Sequence, residues 1–145
     1  MIEATEIRTK YFSALNGIKI NGVEIPVFDE VATSSATIAG AECYIVIQNQ
    51  QSYPSSVQGL SCDKSTHDIT LRIVTRYAKG GGKKLSEQIA KGIDARIREN
   101  RDINKLGINR ITLSLSNSII ETNDNNAIAY THILIYQNYI NNKII

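Results

Sequence analysis

The sequence predicts an α+β fold in which an N-terminal helix and one main amphipathic helix pack on an antiparallel sheet of four to five strands. Apolar and polar residues alternate over positions 67–77, which is typical of a strand with one buried face. After the glycine run 80–82, apolar residues recur at helical spacing. The two stripes are close in the chain, so we expect them to share one core. The strand contributes Ile69, Leu71 and Ile73, and the helix contributes Leu85, Ile89 and Ile93.

The N-terminal segment carries the signals of a helix followed by a hairpin turn. Apolar residues in segment 2–15 are spaced as on one helix face, and Asn16-Gly17 supplies a stop signal. The pair Asn21-Gly22 is typical of a tight turn between two antiparallel strands. We therefore expect a helix and then a hairpin before the main sheet.

Two short strands are predicted next, on either side of a loop. Residues 23–31 are predicted to form a strand. Pro26 has no amide hydrogen to donate, so this strand lies at an edge of the sheet or pairs on one side only. The small residues of segment 33–40 predict a loop. Residues 42–48 predict a short, apolar strand.

Two more strands are predicted in the C-terminal third. Segment 108–121 alternates Ile and Leu with Thr and Ser, which predicts one buried and one polar face. The Asn- and Asp-rich segment 123–126 is a turn by composition. Segment 127–136 is apolar on both faces, which favours a central strand or a subunit contact.

Two segments do not fit a compact domain and predict contacts between subunits. Segment 49–66 is long and polar and lies between strands, so we expect a projecting loop or a hairpin arm that leaves the domain. Segment 137–145 is an apolar C-terminal tail, and apolar surface at a chain end favours an interface. The predicted interface residues are Tyr53, Pro54, Val57, Leu60, Tyr139, Ile140, Ile144 and Ile145.

Composition narrows the class of protein. The 145 residues predict a single domain, 1–145, and 42% hydrophobic with 21% charged residues is a globular composition. A formal charge of +2, from 16 basic and 14 acidic residues, argues against nucleic acid or an anionic membrane as the main partner. We expect a soluble protein made in a cytoplasm, because no signal-length or membrane-spanning apolar run is present.

The glycine run invites a phosphate-loop interpretation, which the spacing rejects. That motif needs a glycine where Tyr77 stands and a serine or threonine where Lys84 stands. The dinucleotide-binding pattern fails as well, since Leu85 occupies its third glycine position. A flexible turn is the simpler interpretation.

Residues that could carry metal or catalytic chemistry are few and scattered. Cys43, Cys62, His67 and His132 have none of the short spacings of a structural zinc site. Reduced thiols are favoured over a single bridge between the cysteines. Ser61-Cys62 near His67 lacks an orienting third group, and no pair of acids is placed as acid and base. We expect no catalytic residue, no metal, no cofactor and no enzymatic activity.

The densest basic group surrounds the glycine run. It contains Arg72, Arg76, Lys79, Lys83, Lys84 and Lys91. The simpler interpretation is that these side chains lie on a solvent-exposed surface of the protein. The functional hypothesis is that Lys79, Lys83 and Lys84 face a channel through which DNA passes, as a weak polyanion-facing wall.

The order of these segments resembles a known family. A helix ending in leucine is followed by IPVFDEVA, then by AECYIVIQNQQ with a polar loop, then by DITLRIVTRYAKGGGKKLSEQIAKGIDARI and two strands. This order resembles the tail completion, or tail terminator, proteins of tailed bacteriophages. The resemblance covers residues 4–137 and rests on strand pattern and small residues.

The resemblance implies a virion structural protein and not an enzyme. Such subunits form homo-oligomeric rings, commonly hexamers, at the head–tail neck or the tail end, and assemble in the host cytoplasm. The implied partners are copies of the chain and neighbouring tail-tube or head–tail connector proteins, with DNA passing nearby and no membrane. The alternatives are another head–tail connector or adaptor protein and, from a different class, a small ligand- or nucleic-acid-binding domain.

Overall fold

The computed structural model describes residues 4–29, 31–56, 62–78, 81–99, 108–122 and 128–143. The helices are α1 Ala4–Leu15 and α2 Lys84–Glu99. The short strands are β1 Lys19–Ile20, β2 Val23–Glu24, β3 Val27–Asp29 and β4 Ala36–Ile38. The long strands are β5 Ala41–Ser56, β6 Cys62–Tyr77, β7 Ile108–Thr122 and β8 Ile128–Lys143.

The main sheet has the strand order β3-β5-β6-β8-β7, with β4 paired to β5 as well. The four long strands are antiparallel to their neighbours. The predicted α+β class is confirmed. The described sheet is larger than expected, with six strands, and it is mixed because β3 runs parallel to β5.

The first third of the chain departs from the prediction at Pro26. The expected strand 23–31 is divided into β2 and β3, because proline cannot donate to a ladder and its carbonyl instead accepts the amide of Ile45 at 3.0 Å. The predicted hairpin is confirmed, with Asn21 and Gly22 both at positive φ between β1 and β2. The predicted loop 33–40 contains β4, which pairs with the start of β5.

The core lies between the two helices and one face of the sheet. All six residues predicted for the centre of the core are buried at 6% exposure or less, which confirms the helix register. We call this side of the sheet the core face. It carries Cys43, Ile45, Ile69, Leu71, Ile73, Leu134 and Tyr136.

Two polar contacts, one buried and one partly buried, join the helices to β8. The Tyr11 hydroxyl on α1 donates to Asn138 Oδ1, and Asn138 Nδ2 donates to the carbonyl of His67 at 3.0 Å. On α2, Asp94 accepts a hydrogen bond from the Tyr136 hydroxyl at 2.8 Å. These contacts fix where each helix lies along the sheet, which a purely apolar interface would leave less specific.

The glycine run contains one position, Gly81, whose backbone conformation and close neighbours favour glycine. Gly81 has φ +125°, and a Cβ there would lie 2.8 Å from Tyr130 and 2.9 Å from Tyr77. We expect Gly81→Ala to lower the free energy of unfolding by about 1 to 3 kcal/mol. Gly82→Ala is the matched control, because a Cβ at Gly82 meets nothing within 4 Å. Chemical denaturation of both variants checks this, and equal stabilities would contradict it.

Candidate functional site

The two segments predicted as subunit contacts meet at one end of the sheet. Tyr53 on β5 pairs with Thr66 on β6, and Thr66 pairs with Tyr139 on β8. In the next row Pro54 and Ile140 are joined in the same way through Ser65. Segments that are distant in the chain therefore lie two strands apart. Val57, Leu60, Ile144 and Ile145 fall outside the described residues.

The long strands extend well past the helices at this end of the sheet, and we call this part the distal arm. It consists of residues 49–56 of β5, 62–66 of β6 and 139–143 of β8. Segment 49–66, expected as a projecting loop or a hairpin arm, forms paired strands over residues 49–56 and 62–66. The expected tail 137–145 continues β8 as far as Lys143. From Asn138, which binds Tyr11 of α1, β8 runs on for roughly 17 Å at the usual rise per residue.

Backbone geometry explains how Pro54 fits inside a long strand. The amide of Ile45 points away from β6 and donates to the carbonyl of Pro26, just before β3. A bulge at Gln48 then reverses which residues of β5 direct their backbone amide and carbonyl groups toward β6. Beyond the bulge, the backbone amide and carbonyl groups of the even-numbered residues point away from β6. The missing amide of Pro54 therefore falls on the outer side of β5, where it interrupts no bond to β6. This position is compatible with proline, although the sequence pattern had suggested a loop.

The sheet has a second face, which we call the open face. Strand alternation places on it Tyr44, Val46, Asp68, Thr70, Arg72, Val74, Arg76, Thr131 and Ile133. Both helices pack on the core face, and none of the described helices lies on the open face. Val46 and Val74 are buried, and Ile133 is half-buried. The open face is thus a mixed apolar and charged surface.

Two charged residues of the open face are incompletely hydrogen-bonded. Asp68 Oδ1 and Arg72 Nε are shielded from solvent and have no hydrogen-bond partner. Desolvation raises the pKa of Asp68, and the charge of neighbouring His67 opposes that shift. Polar atoms shielded in this way cost free energy unless a partner is supplied.

The structure divides the basic group that the sequence suggested. Lys83 and Lys84 are exposed at the start of α2, on the helix side of the sheet. Arg72 and Arg76 lie on the open face, on the other side of the sheet. Lys79 is outside the described residues. The channel-facing role of Lys79, Lys83 and Lys84 stays a prediction.

The histidines and the described cysteine occupy packed positions. His67 and His132 are buried on the core face, well separated along the sheet, and burial lowers the pKa of both. Burial raises the pKa of the free Cys43 thiol to about 11. Among the described residues no cluster of three or more His, Cys, Asp or Glu could hold a metal. Neither described helix is both long and apolar enough to cross a membrane.

One pocket, which sequence reasoning missed, opens between α1 and the edge of the sheet. It has a volume of about 300 Å³ and is lined by Arg8, Thr9, Phe12, Asp29 and Ile47. Arg8 forms an ion pair with Asp29 at its wall and a 3.4 Å hydrogen bond to the carbonyl of Ile47. Arg8 therefore links α1 to β3 through Asp29 and to β5 through Ile47. This volume is at the lower end of the range for ligand pockets.

The likeness of this chain to known proteins is structural and weak. No protein-family model matches the chain, and no curated protein matches it. Among solved structures, a chain of the virion of a native gene transfer agent particle aligns over 92% of this chain and 91% of its own length. The two are 10% identical with a TM-score of 0.33. An alignment at that score carries no inference about the fold or the function of this chain.

Proposed function

We propose that this protein is a structural subunit of a phage-like virion, similar to tail completion or tail terminator proteins. In this proposal it assembles as a homo-oligomeric ring, such as a hexamer, at the head–tail neck or the tail end, and performs no catalysis. The sequence resemblance suggests the class. The observation that carries the assembly role is the convergence of both predicted contact segments in the distal arm.

The edges of the sheet support a head-to-tail contact. β3 ends opposite Ile47, so the outer side of β5 from residue 49 to residue 56 has no strand beside it among the described residues. On the opposite side of the sheet β7 is an edge strand of 15 residues in the described chain. Open edges of this length are sites where another chain can pair. A ring needs two different contact surfaces on each subunit, and these edges are different and opposed.

A charge placed in the distal arm tests the proposal. We expect Tyr139→Asp and Ile140→Asp to reduce the wild-type assembly to smaller species, because a buried charge at a subunit contact is costly to desolvate. Sedimentation velocity gives the mass, and negative-stain imaging shows whether rings form. Val31→Asp is the control, since Val31 is an apolar residue with 70% exposure outside the segments that form the arm.

Folding of the variants is checked independently by circular dichroism. Deletion of residues 139–145 provides a second test of the same contact. Folded variants that keep the wild-type mass would show that the distal arm is ordinary surface and would contradict the assembly role.

A further inference from the structure

We propose that the contact between subunits is a backbone ladder, in which β7 of one copy adds as an antiparallel strand to the outer edge of β5 in the next copy. This inference rests on the proposed assembly and identifies the strands and backbone groups that form its contact.

The receiving edge is a short stretch of β5, residues 49–53, which we call the edge slot. On the outer side of β5, β4 and β3 pair as far as Ile47, so β3 closes one end of the slot. Beyond the bulge that follows Ile47, Gln50 and Ser52 direct their backbone amides and carbonyls outward. Pro54 holds the next outward position and has no amide, so it ends the slot at the other side. The edge slot therefore fits one short strand.

The outward groups of β7 follow from a row of partners that crosses the sheet. Ile45, Ile73, His132 and Ser118 lie in this row, one on each long strand. In an antiparallel strand the amide and carbonyl of one residue point to the same side, so bonded and non-bonded pairs alternate along the row. The amide of Ile45 points away from β6. Ile73 therefore pairs with His132 through hydrogen bonds, and the amide and carbonyl of Ser118 point away from β8.

The second half of β7 is suited to pairing with another chain. Among the described residues no strand lies on the outer side of β7. Past the bulge at Ser114, residues 115–122 pair with β8 without interruption. This segment has no proline and a single charged residue, Glu121. Proline and charge are common devices that keep an edge strand from pairing, so this part of the edge is weakly protected.

Strand direction selects both the antiparallel contact and this half of β7. Three antiparallel pairings separate β5 from β7, so the two strands run in opposite directions. Rotation about a ring axis that lies roughly along the strands preserves these directions, and β7 of the neighbour then arrives antiparallel to β5. A strand in that direction has its C-terminal end toward β3. Residues 115–122 fit the edge slot, whereas placing the first half of β7 there would drive the second half into β3.

This placement also staggers neighbouring subunits. Within one subunit Thr122 lies in the same row as Ala41, through Ile128 and Tyr77. In the contact the same residue lies beside the start of the edge slot, several residues further along β5. A closed ring with such a stagger has its strands inclined to the ring axis, as the strands of a β-barrel are.

Single proline substitutions test the ladder. Ser52→Pro on β5 and Ser118→Pro on β7 each remove one outward amide and leave the bonds within the subunit's own sheet in place. We expect each variant to weaken association roughly tenfold or more, because a carbonyl of the neighbouring subunit loses its donor. Ser52→Ala and Ser118→Ala are the matched controls. They remove the same hydroxyl groups but keep the amides, and they should retain the wild-type mass.

A mixture of the two proline variants distinguishes a head-to-tail contact from a symmetric one. Ser52→Pro keeps an intact β7, and Ser118→Pro keeps an intact edge slot. At a concentration where each variant alone is monomeric, the equimolar mixture should form heterodimers and nothing larger. Sedimentation velocity measures these masses, and circular dichroism checks folding. Where a variant does not fold, Gln50→Pro replaces Ser52→Pro and Ser116→Pro replaces Ser118→Pro, since these residues also direct their amides outward.

The outcomes separate this inference from the proposal on which it rests. A wild-type protein that is monomeric at every concentration would contradict the assembly and the ladder together. If the wild-type protein assembles, two results would overturn the ladder alone. One is a folded proline variant that keeps the wild-type mass, and the other is a mixture that forms no heterodimer.

Discussion

Replacing Ile89 with alanine is expected to lower the free energy of unfolding by roughly 2 to 5 kcal/mol. Ile89 has 0% exposure at the centre of the apolar stripe of α2, which packs on the core face. Truncation removes buried methyl and methylene groups and leaves a cavity. The surrounding helix and sheet are held in place by Asp94 and Tyr136, so the cavity should collapse poorly.

Urea denaturation, followed by circular dichroism, measures this change directly. Gln88→Ala is the control because Gln88 is the exposed neighbour of Ile89 on the same helix. We expect the control to change stability by less than about 0.5 kcal/mol. Equal midpoints for the two variants would mean that the assigned helix register is wrong.

Replacing Asn138 with leucine should have a comparable effect by a different mechanism. The side-chain amide is fully buried, accepts from the Tyr11 hydroxyl and donates to the carbonyl of His67. Leucine has a similar volume but leaves both partner groups buried without this hydrogen bond. At about 1 to 3 kcal/mol for each such group, we expect a loss of roughly 2 to 6 kcal/mol.

A double-mutant cycle with Tyr11→Phe isolates the hydrogen bond between α1 and β8. In the double variant Tyr11→Phe, Asn138→Leu, the hydroxyl is gone and no longer needs a partner. The two changes together should therefore cost less than the sum of their separate costs. Simple additivity of the two losses would show that the Tyr11 hydroxyl and Asn138 do not act as a pair.

The strands and helices that form the core could be predicted because each repeats one period over many residues. Ile69, Leu71 and Ile73 alternate, and Ile89 and Ile93 recur at helical spacing, so burial follows from the pattern alone.

The division of segment 23–31 at Pro26 could be anticipated only in part. The sequence showed that Pro26 limits pairing, because proline has no amide hydrogen. Its carbonyl contact with Ile45 depends on a parallel strand that no local pattern indicates. The mixed character of the sheet was therefore not predictable from this segment.

The distal arm was harder to predict because its strands are polar and lack a clear alternation. The side of β5 on which the missing Pro54 amide falls depends on a bulge at Gln48.

Native mass spectrometry of the wild-type protein tests the central claim, that this chain is an assembling structural subunit. We predict one dominant species whose mass is a fixed multiple of the 16.1 kDa subunit. We expect no additional mass from bound small molecules. Imaging of the same species should show a closed ring. A monomer of 16.1 kDa at every protein concentration would contradict the claim.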